Sequence, residues 1–136
     1  MSAIVADCDR LEAIGRIGIE RCYQYTIHSK RPLVLPTTPL PVNECELAEV
    51  MLGRSLADYV RSNGTSASMI DHWYEKLLLL GTMSSGIPQL QVLADAKMAE
   101  MKQWLFSFNA VVRLVSRTEP VYGSDIESIA GVMFLR

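Results

Sequence analysis

The sequence has no long apolar run, no basic run and no closely spaced pair of cysteines. A membrane-spanning helix needs ~20 consecutive apolar residues, and no stretch here approaches that length. Thirteen Lys and Arg residues stand against 15 Asp and Glu, a formal charge of −2. With no Lys/Arg stripe to neutralise phosphates, nucleic acid is not an expected partner. Cys8, Cys22 and Cys45 are odd in number and far apart, so they read as reduced thiols rather than a disulfide framework. His28 and His72 do not join them at ligand spacing, so neither a metal nor another cofactor is expected. The amino-terminal end offers only Ala3-Ile4-Val5-Ala6 before Asp7 and Asp9, which is no Sec-type signal peptide. These features point to the cytoplasm, with any export following a route that reads no cleaved signal.

Catalytic patterns are equally scarce. There is no Gly-rich phosphate loop, no H-E-x-x-H and no G-x-S-x-G. Asp71-His72 with Glu75 invites an acid–base role, but adjacent residues on a helix point in different directions. His72 therefore reads as a capping or surface residue. Cys45 lies between Glu44 and Glu46, a setting that raises a thiol pKa, the opposite of what a nucleophile needs. The chain reads as a non-enzyme.

What is present is apolar and helical. Of 136 residues, 49% are apolar and 21% charged, the composition of one globular or partner-bound domain. Arg31 to Val42, RPLVLPTTPLPV, holds four of the six prolines and cannot be crossed by a helix. Leu33, Val34, Leu35, Leu40 and Val42 make it apolar as well, so it must lie on a surface, either of this chain or of another. It divides the sequence into an amphipathic, mobile segment (1–30), a Pro-rich extended linker (31–42) and a helical, partner-binding domain (43–136).

Pattern and capping residues set the elements. A first helix over Asp9–Tyr25, capped by Asp7 or Asp9, is weakened by Gly15 and Gly18. Asn43 caps a helix from Glu44 toward Ser62, with Asn63-Gly64 as its stop and Gly53 as a candidate interruption that would make it two short helices. Its buried side comprises Leu47, Val50, Met51, Leu56, Tyr59 and Val60. Ser66 or Ser68 opens another helix, closed at Gly81; Ser68-x-x-Asp71 is a near-match to a capping box, with Asp in place of Glu or Gln. Pro88 begins a long helix to Ser116, and Ser124-x-x-Glu127 opens a short C-terminal element. The expected fold is all-α: an antiparallel C-terminal helical hairpin, a weaker N-terminal helix and the Pro-rich linker.

In the long helix Met101, Leu105, Phe108, Val112 and Val115 recur at spacings of four, three, four and three. Trp104, Phe106, Val111 and Leu114 widen this seam until little circumference remains for water. Either the chain's own weaker elements cover it or a partner does; the aromatic residues suit interface anchors.

Several strings carry a family resemblance: Ile17-Gly18-Ile19-Glu20, the segment LPTTPLPV from Leu35 to Val42, and Arg54-Ser55-Leu56-Ala57-Asp58-Tyr59. With the helix pair beyond them, the chain resembles, from about Ile17 to Val115, the type III secretion X-protein family of Yersinia-type injectisomes. The resemblance implies a heterodimer with a small helical Y-type chaperone, engagement of the export apparatus and export without a cleaved signal. On that reading Trp73, Leu77, Met101, Trp104, Leu105, Phe108 and Val112, chosen from the apolar pattern, contact the partner. The tail after Ser116 departs from the family, whose chains end soon after the long helix. The alternative is a self-contained helical homodimer with an adaptor or structural role, of phage or regulatory type.

Overall fold

The structure, a computed structural model, describes residues 2–53, 66–114 and 118–123. Among these lie five α-helices: α1 (Ala3–Glu12), α2 (Gly15–His28), α3 (Glu44–Leu52), α4 (Met69–Glu75) and α5 (Pro88–Val112), with a 3-10 turn at Leu77–Leu79. The protein is all-α; the one β feature among the described residues is an isolated antiparallel bridge between Val34 and Val121.

The single N-terminal helix expected from the sequence is two helices meeting at a corner. Ile14 is extended (φ −122°, ψ 173°) and fully buried, and Gly15 follows at φ +74°, where a side chain is strained. A Cβ on Gly18 would strike the Ala13 carbonyl, so the corner closes only with glycine there. The cap of α1 is Ser2, whose Oγ accepts from Val5 N–H at 3.2 Å, rather than Asp7 or Asp9. Both helices pack on α5, and Leu11, Ile14 and Ile19 enter the core. The described part of the segment 1–30 is thus built into the fold.

The proline strip docks on the chain's own helices. Leu33 and Val34 are fully buried. The Pro32 and Leu33 carbonyls accept from Met69 and Ile70 N–H at 3.1 and 3.0 Å, satisfying donors that the start of α4 would otherwise leave open. Further along, the Pro39 carbonyl accepts from the Tyr74 hydroxyl at 2.7 Å and the Pro41 carbonyl from Asn109 Nδ2 at 2.8 Å. Proline supplies no N–H, and here its carbonyls do the fastening.

Beyond α1, the caps of α3 and α4 and the proline of α5 fall at positions the sequence offers. Asn43 Oδ1 accepts from Glu46 N–H at 2.8 Å, Ser68 Oγ from Asp71 N–H at 3.1 Å, and Pro88 sits in the first turn of α5. Helix lengths differ more. α4 stops at Glu75 because Lys76 leaves helical geometry (φ −139°, ψ −60°), and α5 ends at Val112. Where the first arm of the expected hairpin would lie there are a seven-residue helix and a 3-10 turn, the second arm is a 25-residue helix, and the helices packed most closely on it are α2 and α1. α3 ends at Leu52, and the expectations for Leu56, Tyr59, Val60, Asn63-Gly64 and the element from Ser124 lie outside the described residues.

Candidate interaction surface

The seven residues expected to contact a partner sit in the chain's own interior. Trp73, Met101, Leu105 and Phe108 are fully buried, Val112 and Leu77 nearly so, and Trp104 is half-buried. They form one assembly: the Trp73 and Trp104 rings lie 5.2 Å apart, and Trp104 stacks on Phe108 at 5.0 Å with 11° between planes. α2 packs against both α4 and α5, bringing Cys22 beside Trp73. Burial pushes the Cys22 thiol up to about 11. Covering this apolar surface takes both halves of the sequence. For a partner to reach the fully buried members of this set, α2 or the strip would have to come away.

Two polar clusters brace the assembly. Asp7, inside α1 and without exposed surface, accepts from Ser84 N–H (2.8 Å), Ser84 Oγ (3.0 Å) and Ser85 N–H (2.9 Å), and pairs with Arg10 at 3.1 Å. The Ser85 hydroxyl and these donors outweigh burial and hold its carboxyl far below the ordinary carboxylate range. In the second cluster the Asp71-His72-Glu75 string is divided between different hydroxyl groups. Asp71 Oδ2 accepts from Thr38 and Ser68 hydroxyls at 2.9 and 2.7 Å. His72 Nδ1 and Glu75 Oε2 instead converge on the Ser66 hydroxyl, at 3.2 and 2.5 Å. Burial, then the charges of Lys76 and Arg31, lower the His72 pKa to about 4.

Other chemistry is sparse among the described residues. No group of three or more His, Cys, Asp or Glu side chains is placed to hold a metal ion. No helix is long and apolar enough to cross a membrane. An open groove of about 340 Å³ is lined by Leu40, Pro41, Glu46, Glu49, Val50 and Arg113. Arg113 already pairs with Glu46 there at 3.3 Å.

The outside of α5 is the more unusual surface. Ala94, Met101 and Phe108 face the core. On the opposite side Gln89, Val92, Ala96, Ala99, Gln103 and Ala110 are exposed and Phe106 is half-buried. A solvent-facing helix stripe ordinarily carries charge; this one has none over six turns. Val92 is 69% and the adjoining Leu93 45% exposed. Asp7 ties α1 to the turn before α5, and α1 itself leaves Ile4 and Val5 about half exposed. The signal was open in the sequence as spacings of three and four from Gln89 to Ala110. It is overshadowed there by the larger residues of the core-facing seam.

No family model matches this chain. Over 109 residues it is 38% identical to uncharacterized protein L803 of Acanthamoeba polyphaga mimivirus, a match covering 78% of this chain and 44% of that protein. The chain thus spans less than half the length of the curated relative it matches.

Proposed function

We propose that this chain is a self-supporting helical interaction module, an adaptor or structural element that completes its own core and binds other protein through its outer surface. One observation carries the reading: Trp73, Trp104, Phe108 and their neighbours are enclosed by α2, α4, α5 and the proline strip. Burying a side chain of this size contributes ~1.5–3 kcal/mol. Several such side chains exceed the ~5–15 kcal/mol margin of a typical domain, so exposing them would unfold it. The aromatic stack is therefore assigned to stability and the uncharged exterior of α5 to binding.

The type III secretion component remains the alternative, and it differs in a measurable consequence. A Y-type chaperone that clasps Trp73, Trp104 and Phe108 would have to displace α2 or the strip, so the isolated chain would lack a closed core. The chain expressed alone is expected to unfold in one cooperative transition, coincident by far-UV circular dichroism and tryptophan fluorescence. A chain that shows such a transition only when co-expressed with a helical chaperone would overturn the module reading in favour of the secretion component.

A further inference from the structure

We infer that the outer face of α5 docks on the same face of a second copy of this chain, with the two helices antiparallel. The inference deepens the interaction-module reading and rests on it. Gln89, Val92, Ala96, Ala99, Gln103, Phe106 and Ala110 alternate at spacings of three and four, the seam of a two-helix coiled coil. Ala94, Met101 and Phe108 occupy the position farthest from that seam and are buried in the core, so the seam points away from its own chain except at Phe106, which is partly buried against the core's edge. Helix formation alone does not call for an uncharged exterior beside Asp95, Lys97, Glu100 and Lys102.

The charges bordering the seam select the occupant and its direction. One border carries Asp95 and Lys102, the other Leu93 and Glu100. In a parallel pair of copies the two borders meet, and Asp95 would face the second copy's Glu100, which repels. In an antiparallel pair each border meets itself. Placing Ala96 opposite the second copy's Ala99 sets Val92 against Gln103 and brings Asp95 to Lys102 on both sides of the two-fold axis. Lys102 now pairs with Glu44 at 3.3 Å, and in the dimer it exchanges that surface pair, on a Glu44 side chain 68% exposed, for Asp95 of the second copy. Leu93 then covers the stem of Glu100. Alanine at the central layer allows close approach of the helices, and Val92, Leu93 and Phe106 supply the apolar area. A face this narrow makes a weak, reversible dimer rather than an obligate one.

The full chain is tested by sedimentation velocity over a range of concentrations, with thermal unfolding recorded on the same samples. The expected result is a monomer–dimer equilibrium weakened about tenfold or more by Ala99→Glu, with the dilute monomer still unfolding cooperatively. Asp95→Lys should weaken association, and adding Lys102→Glu should restore it. Association strengthened by Asp95→Lys would mean parallel helices and overturn the arrangement. A wild-type chain that unfolds cooperatively yet stays monomeric at the highest attainable concentration overturns the second copy as occupant and leaves the module reading standing. A chain with no cooperative transition overturns both.

Discussion

Asn109, near the end of α5, donates through Nδ2 to the Pro41 carbonyl at 2.8 Å and so fastens the proline strip to a helix 68 residues away in sequence. Its Oδ1 is buried without a hydrogen-bond partner, so the side chain is held there for its donor alone. Replacing Asn109 by Ala leaves the Pro41 carbonyl unsatisfied and is expected to cost ~1–3 kcal/mol in urea unfolding. Tyr74→Phe removes the neighbouring anchor on Pro39, at ~1 kcal/mol. Because both hold one strip, the double variant should lose less than the sum. Strict additivity would show that the two anchors hold independent pieces.

Gly18 offers a prediction whose sign separates two explanations. Helix propensity alone says that Gly18→Ala stabilises α2 by ~0.5–1 kcal/mol. The corner says the reverse, since the added Cβ runs into the backbone of Ala13, which no rotamer change can relieve. A loss of ~1–3 kcal/mol is expected. Gly53→Ala serves as the control, because its Cβ would meet only Val50 O at an ordinary 3.6 Å. A stabilised Gly18→Ala variant would mean that α1 does not turn back against α2 as described.

These two positions also show what was legible beforehand. Asn43, Ser68 and Pro88 act through hydrogen bonds or dihedral limits within a few residues, and such local chemistry can be read from a string of letters. Gly15 and Gly18 were visible as weak points, but a corner and a merely frayed helix share that signature until Lys97 and Ala13 are seen packed against them. The partner-contact set drew on a correct observation, that α5 is apolar on more than one side. The ambiguity lay in what covers it, and burial by Ile14, Ile19, Leu33 and Val34 depends on contacts made from far along the chain. Only the fold separates the inward seam through Met101 and Phe108 from the outward one through Val92 and Ala99.

Asp7 should govern acid stability. Its carboxylate accepts from the Ser84 and Ser85 N–H groups, and its pKa is held below the unfolded value of 3.8. A depressed carboxylate contributes stability that is present above that unfolded value and is lost as pH falls through the folded one. Asp7→Asn turns an amide NH₂ or a neutral oxygen toward those donors. A lower melting temperature at neutral pH is expected, with a shallower further loss in strong acid. An unchanged melting temperature would remove Asp7 as the link between α1 and the turn before α5.

His72 acts in a separate window. Its folded pKa of about 4 lies below the ordinary 6.5, so the unfolded chain takes up the proton first as pH falls. Stability is therefore full above pH 6.5 and declines as pH drops toward about 4. Partial exposure and solvent screening reduce the full effect of that shift to about 1–2 kcal/mol. Urea midpoints at about pH 7 and about pH 4.5 should diverge in the wild-type chain and converge in His72→Gln. Equal slopes in the two proteins would place the proton uptake elsewhere.

The three cysteines should report on whether α2 stays in place. Cys8 and Cys45 are exposed, whereas Cys22 is half-buried against Trp73 with its thiol raised from 9.0 to about 11. Only the thiolate reacts, so two pKa units alone slow Cys22 by about 100-fold, before restricted access is counted. An aromatic disulfide reagent should therefore titrate two thiols quickly in the native chain and the third only on unfolding. The denaturant concentration that releases Cys22 is expected to coincide with loss of the circular dichroism signal, because α2 is part of the same core as α5. Release at lower concentration, with helicity retained, would mean that α2 detaches as a separate unit. The Trp73–Trp104–Phe108 stack would then be open to a partner, as a chaperone-bound secretion component requires.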